Sequence, residues 1–271
     1  MAREWPSATE AGAARDCLTS RAVRITRLLR VGLHIARGAA IAACVFPFTG
    51  REGHRAHVQR WSRQVLDILG VSLRLAGTPP QPAGAPIMLV ANHVSWLDIL
   101  VISAVLPVRF VAKSEVRAWP VIGWLSERAG TLFIRRARRS DAARIGGKLA
   151  QVMMDGEPAA VFPEATSSDG STVLKFHSSL LQPAVLAGAA VHPVALRYAR
   201  ADGTRCAEAA FIGGISLWES LNLMATQPAT LAHLDFLPPL EGADQDRREL
   251  ASGAREAILR SLFPPSRDNH S

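Results

Sequence analysis

Short apolar runs alternate with helical patterns along most of the chain. Runs of roughly four to eight aliphatic residues bounded by turn residues are typical of buried strands, and apolar positions three and four apart are typical of helices. The patterns predict strands at 71–75, 87–91, 108–112, 131–134, 159–162, 191–196, 208–212 and 230–236. They predict helices at 54–69, 99–106, 140–155, 179–187 and 244–262. This alternation predicts an α/β fold with a mixed central sheet and flanking helices.

The region before the first predicted strand has a different pattern. Arginines recur at every third position among aliphatic residues: Arg21, Arg24, Arg27 and Arg30. Such a basic amphipathic helix suits an anionic membrane surface. The helical pattern ends at Pro47, and its uninterrupted apolar part, residues 38–46, is shorter than the roughly 20 residues that cross a bilayer. An interfacial or partly inserted helix is therefore favoured over a transmembrane anchor or an ordinary core helix.

These patterns divide the chain into three parts. Residues 1–20 have no signal-peptide pattern and predict a disordered or weakly ordered tail. Residues 21–75 predict an N-terminal helical membrane-associating region, including a helical pair. Residues 76–271 predict the α/β domain, which follows a stretch rich in proline and glycine at 77–86.

Composition and charge narrow the class of protein. A hydrophobic content of 48% excludes general disorder. The net charge of +8 suits acidic headgroups or phosphorylated substrates, and without any zinc-finger, RNA-recognition or basic-zipper pattern no nucleic-acid partner is expected. The three cysteines, Cys17, Cys44 and Cys206, have neither metal nor disulfide spacing, which fits a reducing compartment or a cytosolic membrane face.

The most informative polar residues follow the predicted strand at 87–91. His93 and Asp98 are five residues apart, so within one helix their side chains would lie about 140° apart and would not touch. Ser95 and Asp98 have capping-box spacing, with Ser95 as N-cap, and Asp98 would lean back toward His93 at the start of the helix. We therefore predict a general base and its orienting carboxylate. A capped helix beside a structural histidine is the alternative.

Two further loops carry unusual polar content. Arg135 and Arg136 follow the strand at 131–134, and because neighbouring strand residues point to opposite faces, at most one of them enters a site. A guanidinium suits a phosphate, although a solvated basic run is the alternative. The loop at 162–170 places a carboxylate and several hydroxyls after a strand, where they would hold a polar headgroup or form a plain surface turn.

Together these segments resemble the glycerolipid acyltransferases, the family that includes bacterial 1-acyl-glycerol-3-phosphate acyltransferase. Asn92-His93-x-x-x-x-Asp98 is similar to the family's first motif, and Lys113 with Pro120, Gly123 and Trp124 to its next segment. Gly130-x-x-Phe133-Ile134-x-Arg136 is similar to its phosphate-contacting motif. Phe162-Pro163-Glu164 and Val191-x-Pro193-Val194 are similar to its third and fourth motifs. The resemblance covers roughly residues 85–200, with the motifs in family order.

The resemblance implies a chemistry and a set of roles. His93 acts as general base on an acceptor hydroxyl, Asp98 orients the imidazole, and the hydroxyl attacks the thioester of acyl-CoA or of an acyl carrier protein. Arg136 binds the acceptor's phosphate, and Glu164 and Thr166 position the acceptor. The full expected substrate-binding set is Arg136, Glu164, Thr166, Asn92 and Lys113. No metal or cofactor is expected, the acyl thioester being a co-substrate.

Two positions depart from the family pattern. Ala165 stands where the family usually has glycine, so either the turn keeps an ordinary backbone conformation or the pocket is altered. Ser167 stands where phosphatidate-forming members often have arginine. The segment 166–180 is closer to a bacterial branch that includes lyso-ornithine lipid acyltransferases.

The sequence therefore predicts a membrane-associated O-acyltransferase on the cytoplasmic face of the inner membrane. The favoured reaction converts 1-acyl-glycerol 3-phosphate to phosphatidate, with lyso-ornithine lipid as the alternative acceptor. A non-catalytic lipid-binding membrane protein is the alternative of another class. A serine hydrolase is not expected, because the chain has no Gly-x-Ser-x-Gly pattern.

Overall fold

A seven-stranded sheet organises the part of the chain that the computed structural model describes, residues 18–81, 84–134, 139–240 and 246–264. The strands are β1 (Val71–Ala76), β2 (Ile87–Ala91), β3 (Arg109–Lys113), β4 (Leu132–Ile134), β5 (Ala159–Val161), β6 (Ala190–Arg200) and β7 (Thr230–Phe236). Their order is β1-β7-β6-β2-β5-β3-β4. Neighbours run parallel except β6 and β7, which are antiparallel. The predicted mixed α/β fold is confirmed.

Helices cover both faces of this sheet. They are α1 (Arg21–Cys44), α2 (Arg51–Leu69), α3 (Leu97–Val105), α4 (Ile122–Arg128), α5 (Arg139–Met154), α6 (Gln182–Ala187), α7 (Leu217–Thr226) and α8 (Arg247–Leu262). One core lies between the sheet and α2, α3 and α7, and a second between the sheet and α5, α6 and α8. Strand β2 lies between the two cores, and all five of its residues are buried. That explains its continuous apolar run, which is typical of a parallel strand covered on both faces.

Helices α1 and α2 form a hairpin that packs on the first core. Trp61 Nε1 donates to the His34 carbonyl at 3.2 Å, and His34 Nε2 lies 3.1 Å from the Trp61 carbonyl, with the two rings stacked. The Arg27 guanidinium donates to the carbonyls of Ala225 and Pro228, which ties α1 to the end of α7. The predicted helical pair is therefore docked on the sheet rather than separate from it.

The predicted domain boundaries stay predictions, but one observation bears on each end of the N-terminal region. β1 pairs along its whole length with β7, so the strand placed in the membrane-associating region is part of the central sheet. Of the predicted tail, residues 1–17 lie outside the described residues. Thr19 N donates to the Thr226 carbonyl at 2.9 Å, which fixes the chain just before α1.

Three elements differ from the sequence prediction. The strand predicted at 208–212 is wrong: a short 3-10 helix occupies Ala207–Ala209, and Phe211 N donates to the Val94 carbonyl instead of to a strand. Helices α4 and α7 were not predicted. The sequence does contain a start signal for α7, because Ser216 and Glu219 have the spacing of a capping box, which the structure shows.

Candidate active site

The candidate site lies where β2 and β5 end. These parallel strands are direct neighbours in the sheet, so their carboxyl ends bring the loops after Ala91 and Val161 to the same edge. The first loop carries His93 and leads into α3, and the second carries Glu164, Ala165 and Thr166. Residues about 70 positions apart in sequence therefore meet because of strand order.

His93 and Asp98 are in direct contact. His93 Nδ1 lies 2.8 Å from Asp98 Oδ2, and the carboxylate is fully buried while the imidazole is 22% exposed. The same Oδ2 accepts hydrogen bonds from the backbone amides of Val94 at 2.7 Å and Ser95 at 2.9 Å. The predicted pairing across the start of α3 is therefore present, with Asp98 leaning back over the loop.

Only half of the predicted capping box forms. Asp98 accepts from the Ser95 amide, but Ser95 Oγ is buried without a hydrogen-bond partner among the described residues. The N-cap is Trp96, in helical backbone conformation and without a side-chain cap. The prediction of Ser95 as N-cap is thus wrong, because the helix begins only at Leu97 and Asp98 accepts instead from the loop amides of Val94 and Ser95 that precede it.

A residue that the sequence analysis missed completes the surroundings of Asp98. Tyr198 in β6 donates its hydroxyl to Asp98 Oδ1 at 2.7 Å, and both side chains are buried. Burial, together with the Asp98 charge, raises the pKa of Tyr198 well above its ordinary value, so the hydroxyl stays a donor. It is the chain's one tyrosine, in the same strand as the Val191-x-Pro193-Val194 motif.

Glu164 joins the two loops. Its Oε1 accepts from the His93 amide at 2.8 Å and its Oε2 from the Leu174 amide at 3.0 Å. The side chain is buried, and burial raises the pKa of its carboxyl despite these two backbone hydrogen bonds. Oε1 therefore holds the His93 loop in place, while Oε2 anchors the carboxyl group to the backbone at Leu174.

The imidazole of His93 is also held by stacking. Phe162 packs against it with ring centroids 4.2 Å apart and planes 16° from parallel. Ser168 N donates to the His93 carbonyl at 2.8 Å, which adds a second backbone link between the loops. The ring is thus fixed by its neighbours before any substrate arrives.

The backbone at Ala165 does not take an ordinary conformation. Its φ is +61°, in the left-handed region that glycine adopts readily and alanine does not. The turn therefore keeps a glycine-like backbone conformation with alanine in place. Two residues further on, Ser167 Oγ donates to the Phe211 carbonyl, so this turn contacts the segment before α7.

A cavity of about 500 Å³ opens beside His93. Its walls are mainly apolar and come from both helices of the α1–α2 hairpin and from α3, α4 and α7. They include Val31, Ile35, Trp61, Ile99, Leu125 and Leu221. Polar side chains line it near the strand ends: His93, Lys113, Thr166 and Ser167. The arrangement places the His93 imidazole against a mainly apolar space.

The other predicted site residues fall in different places. Asn92 is buried and does not line the cavity. Its side-chain Nδ2 donates to the Leu196 carbonyl at 2.9 Å and its Oδ1 accepts from the Leu196 amide at 2.8 Å, which ties the His93 loop to β6. Lys113 ends β3 at the cavity and is exposed, as is Thr166. Arg136 lies outside the described residues. Among the described residues, no three potential metal ligands cluster.

A mixed α/β sheet that brings a histidine–aspartate pair to an apolar cavity is the arrangement that the resemblance to acyltransferases implies. The chain belongs to the acyltransferase family and is an acyltransferase: the family model "Acyltransferase" matches residues 72–197, and the similarity to relatives extends well beyond them.

The relatives cover nearly the whole chain. It is 37% identical to a lyso-ornithine lipid O-acyltransferase of Pseudomonas aeruginosa, over 92% of this chain and 95% of that protein. It is 34% identical to a 1-acyl-sn-glycerol-3-phosphate acyltransferase of Neisseria meningitidis, over 80% of this chain and 84% of that protein. The fold is that of the 1-acyl-sn-glycerophosphate acyltransferase of Thermotoga maritima, with a TM-score of 0.68 at 22% identity over 89% of this chain and 93% of that one.

Proposed function

We propose that this enzyme moves an acyl chain from an acyl thioester to the free hydroxyl of a lysolipid, with His93 as the general base. The observation that carries the proposal is the His93–Asp98 contact at the apolar cavity. Asp98 Oδ2 accepts the Nδ1 proton, which leaves Nε2 as the nitrogen available to a substrate hydroxyl. The carboxylate also stabilises the imidazolium that forms when the proton is taken.

The proposed reaction has two steps in which the same proton is taken and returned. Nε2 of His93 accepts the hydroxyl proton as the hydroxyl oxygen attacks the thioester carbonyl carbon, giving a tetrahedral oxyanion. Collapse of this oxyanion breaks the carbon–sulfur bond, and the departing thiolate takes the proton from His93. The products are the ester and the free thiol of CoA or of a carrier protein.

The apolar part of the cavity suits an acyl chain. A chain is held there by removal of methylene groups from water, worth about 0.8 kcal/mol per buried CH₂. Its reactive end would lie at the polar end of the cavity beside His93, near Lys113 and Thr166, which we propose contact the substrates. Glu164 and Asn92 are proposed to position the His93 loop rather than to contact substrate, since backbone groups occupy both side chains.

For the acceptor we propose lyso-ornithine lipid, with lysophosphatidate as the second candidate. Two observations favour the first: the similarity to the Pseudomonas protein spans almost the full length of both chains, and Ser167 stands where the phosphatidate-forming pattern often has arginine. The Neisseria relative and the proposed phosphate contact of Arg136 favour the second.

We further propose that the enzyme works at the cytoplasmic face of the inner membrane, where acyl thioesters are present. The stretch Arg21–Phe48 is long and apolar enough to cross a membrane by length and composition. Its outward side carries Ile25, Leu29 and Leu33, which are 47, 69 and 74% exposed. An apolar stripe beside arginines suits an interfacial position.

The test uses purified enzyme in lipid with two acceptors in parallel, lyso-ornithine lipid and lysophosphatidate. Each acceptor is tried with acyl-CoA and with acylated carrier protein as donor, and the products are measured by mass spectrometry. Faster acylation of lyso-ornithine lipid supports the proposal, and faster acylation of lysophosphatidate assigns the second candidate. His93→Ala is expected to abolish both while the protein stays folded. Full activity of that variant would remove the general-base role, and no product from folded wild type would favour a non-catalytic lipid-binding protein.

Arg136→Ala sharpens the choice of acceptor. If Arg136 binds a phosphate, the variant raises KM for lysophosphatidate far more than KM for the zwitterionic lyso-ornithine lipid. Equal changes in both KM values would contradict the phosphate contact.

A further inference from the structure

Asp98 has two carboxylate oxygens with different partners. Oδ2 receives three donors, the His93 imidazole and the amides of Val94 and Ser95, whereas Oδ1 accepts from the hydroxyl of Tyr198 at 2.7 Å. The Oδ2 donors all lie within five residues of Asp98. The Tyr198 hydroxyl comes from 100 residues further along the chain, so it ties the carboxylate to the sheet.

The strand that carries Tyr198 is itself anchored to the catalytic loop. Leu196, two residues earlier in β6, exchanges both backbone hydrogen bonds with the Asn92 side chain, and Asn92 directly precedes His93. Cys206 N donates to the Tyr198 carbonyl at 3.0 Å, which holds the far side of the strand. Tyr198 is 2% exposed, so its hydrogen bond to Asp98 lies in the protein interior, where such a bond is electrostatically stronger than in water.

We propose that Tyr198 is a positioning residue for catalysis, whose hydroxyl holds the Asp98 carboxylate in the rotamer that presents Oδ2 to His93. This inference rests on the proposed function of His93. Tyr198 contacts neither substrate nor the reacting atoms. It acts by sharing the carboxylate's charge, which keeps the imidazole oriented while leaving it free to lose its proton to the leaving thiolate.

Other charged or titratable groups around Asp98 and His93 remain in place when Tyr198 is replaced by phenylalanine. They include Glu164 after β5 and Cys206 beside Tyr198. Asp169, Arg197 and Arg205 line a small cavity together with Tyr198, and His57 of α2, Lys113 of β3 and Glu115 after β3 line the larger cavity beside His93. Since a Tyr198→Phe substitution alters none of them, a change in pH dependence reports the Asp98–His93 pair.

Tyr198→Phe removes the hydroxyl and keeps the ring. A hydrogen bond to a charged group has a free energy that corresponds to about a tenfold change in rate, so we expect kcat to fall about tenfold with KM within about twofold of wild type. Without the donor the carboxylate attracts the imidazole proton more strongly. The acid limb of the kcat/KM profile should then move to higher pH by about half a unit.

Thr230→Val is the matched control. Thr230 is buried in the neighbouring strand β7, and its hydroxyl lies near the Cys206 sulfur rather than near Asp98. This variant also removes a buried hydroxyl, so it is expected to change stability without moving the acid limb. If Tyr198→Phe lowers stability but leaves kcat and the acid limb unchanged, the positioning role is overturned.

A readout without substrate separates this inference from the proposed function. Because the chain has one tyrosine, its ring carbon bearing the hydroxyl gives one resonance in protein made with carbon-labelled tyrosine. We expect that resonance to shift as the dyad takes up a proton, and His93→Gln to abolish the shift. A resonance that is flat in wild type between about pH 5 and pH 8, where imidazoles ordinarily change charge, would overturn the coupling, whatever the acceptor proves to be.

Discussion

At the residue scale, the site depends on two buried carboxylates with separate tasks. Asp98 accepts from the His93 imidazole and from the loop amides of Val94 and Ser95, and thereby orders the loop before α3 while orienting the imidazole. Glu164 accepts the His93 amide and so fixes the backbone from which the imidazole projects. The next residue, Ala165, keeps a left-handed backbone that only the surrounding turn enforces.

Ala165→Gly should stabilise the protein. Left-handed backbone costs a non-glycine residue about 1–2 kcal/mol, and glycine loses about 0.5–1 kcal/mol in chain entropy. The free energy of unfolding should therefore rise by about 0.5–1 kcal/mol in denaturant titrations. Ala56→Gly, at an exposed position inside α2, is the control and should lower it by about 1 kcal/mol. A loss of stability in both variants would contradict the strain at Ala165.

Glu164→Gln tests the electrostatics of the buried carboxyl. Because burial raises the pKa of Glu164 above its ordinary value, its contribution to stability is complete below about pH 4.3 and is lost as the pH rises through the raised pKa. The free energy of unfolding of wild type minus that of the variant should therefore fall as the pH rises above about 4.3, the ordinary pKa of a glutamate. Equilibrium unfolding at several pH values measures it, and a difference that is constant with pH would refute the assignment.

At the element scale, the α1–α2 hairpin forms one wall of the cavity and depends on close approach. Gly38 in α1 faces the Trp61 indole of α2, and a Cβ there would lie 2.5 Å from Trp61 Nε1. The same indole donates to the His34 carbonyl, so it has little room to move. By contrast, Gly32, less than two turns earlier, has open space around it.

Two glycine-to-alanine variants should therefore have opposite effects. Gly32→Ala gains about 1 kcal/mol from helix propensity alone. Gly38→Ala gains the same term but forces the helices apart, at a cost of about 1–3 kcal/mol, and should raise KM for the acyl donor because Gly38 lines the cavity. Thermal unfolding and steady-state kinetics measure both, and equal effects would show that the hairpin is not tightly packed.

At the scale of the whole molecule, arginines and exposed apolar side chains occur together on α1. The net charge is +8, and arginines flank the outward stripe of α1 that contains Leu29 and Leu33. α1 packs on the core formed with α2, α3 and α7, and the opposite core is formed with α5, α6 and α8. One face of the sheet is thus proposed to meet the membrane.

Replacing Leu29 and Leu33 with serine should weaken binding to anionic vesicles in flotation assays by at least about tenfold, since two exposed leucines each contribute about 1.5 kcal/mol or more when buried. Leu186→Ser is the control, because Leu186 is 56% exposed on α6, across the sheet. Turnover with detergent-dispersed substrates should stay near wild type.

The same surface makes binding dependent on salt. Raising the salt from about 0.05 to about 0.5 M should weaken binding of both wild type and variant, because exposed charges are screened. If the Leu29 and Leu33 double variant binds anionic vesicles as well as wild type does, the membrane contact belongs to another surface.

The sequence by itself determined most of the strands and helices and the identities of His93 and Asp98 as a pair. Runs such as 87–91 and 230–236 report burial of a strand directly, and the structure places strands at both. The five-residue spacing of His93 and Asp98 excluded a contact within one regular helix and so predicted that they meet at the start of α3, as they do. These features depend on neighbours within a few residues, which periodicity reveals.

Only the tertiary structure decided which distant groups complete the site. The Tyr198 hydroxyl on Asp98, the Glu164 carboxylate on the His93 amide and the pairing of Asn92 with Leu196 all join residues about 70 to 100 positions apart. Strand order brings them together, and one sequence carries no local signal of that order. The 208–212 segment failed as a strand for the same reason, since its backbone bonds to the His93 loop rather than to the sheet.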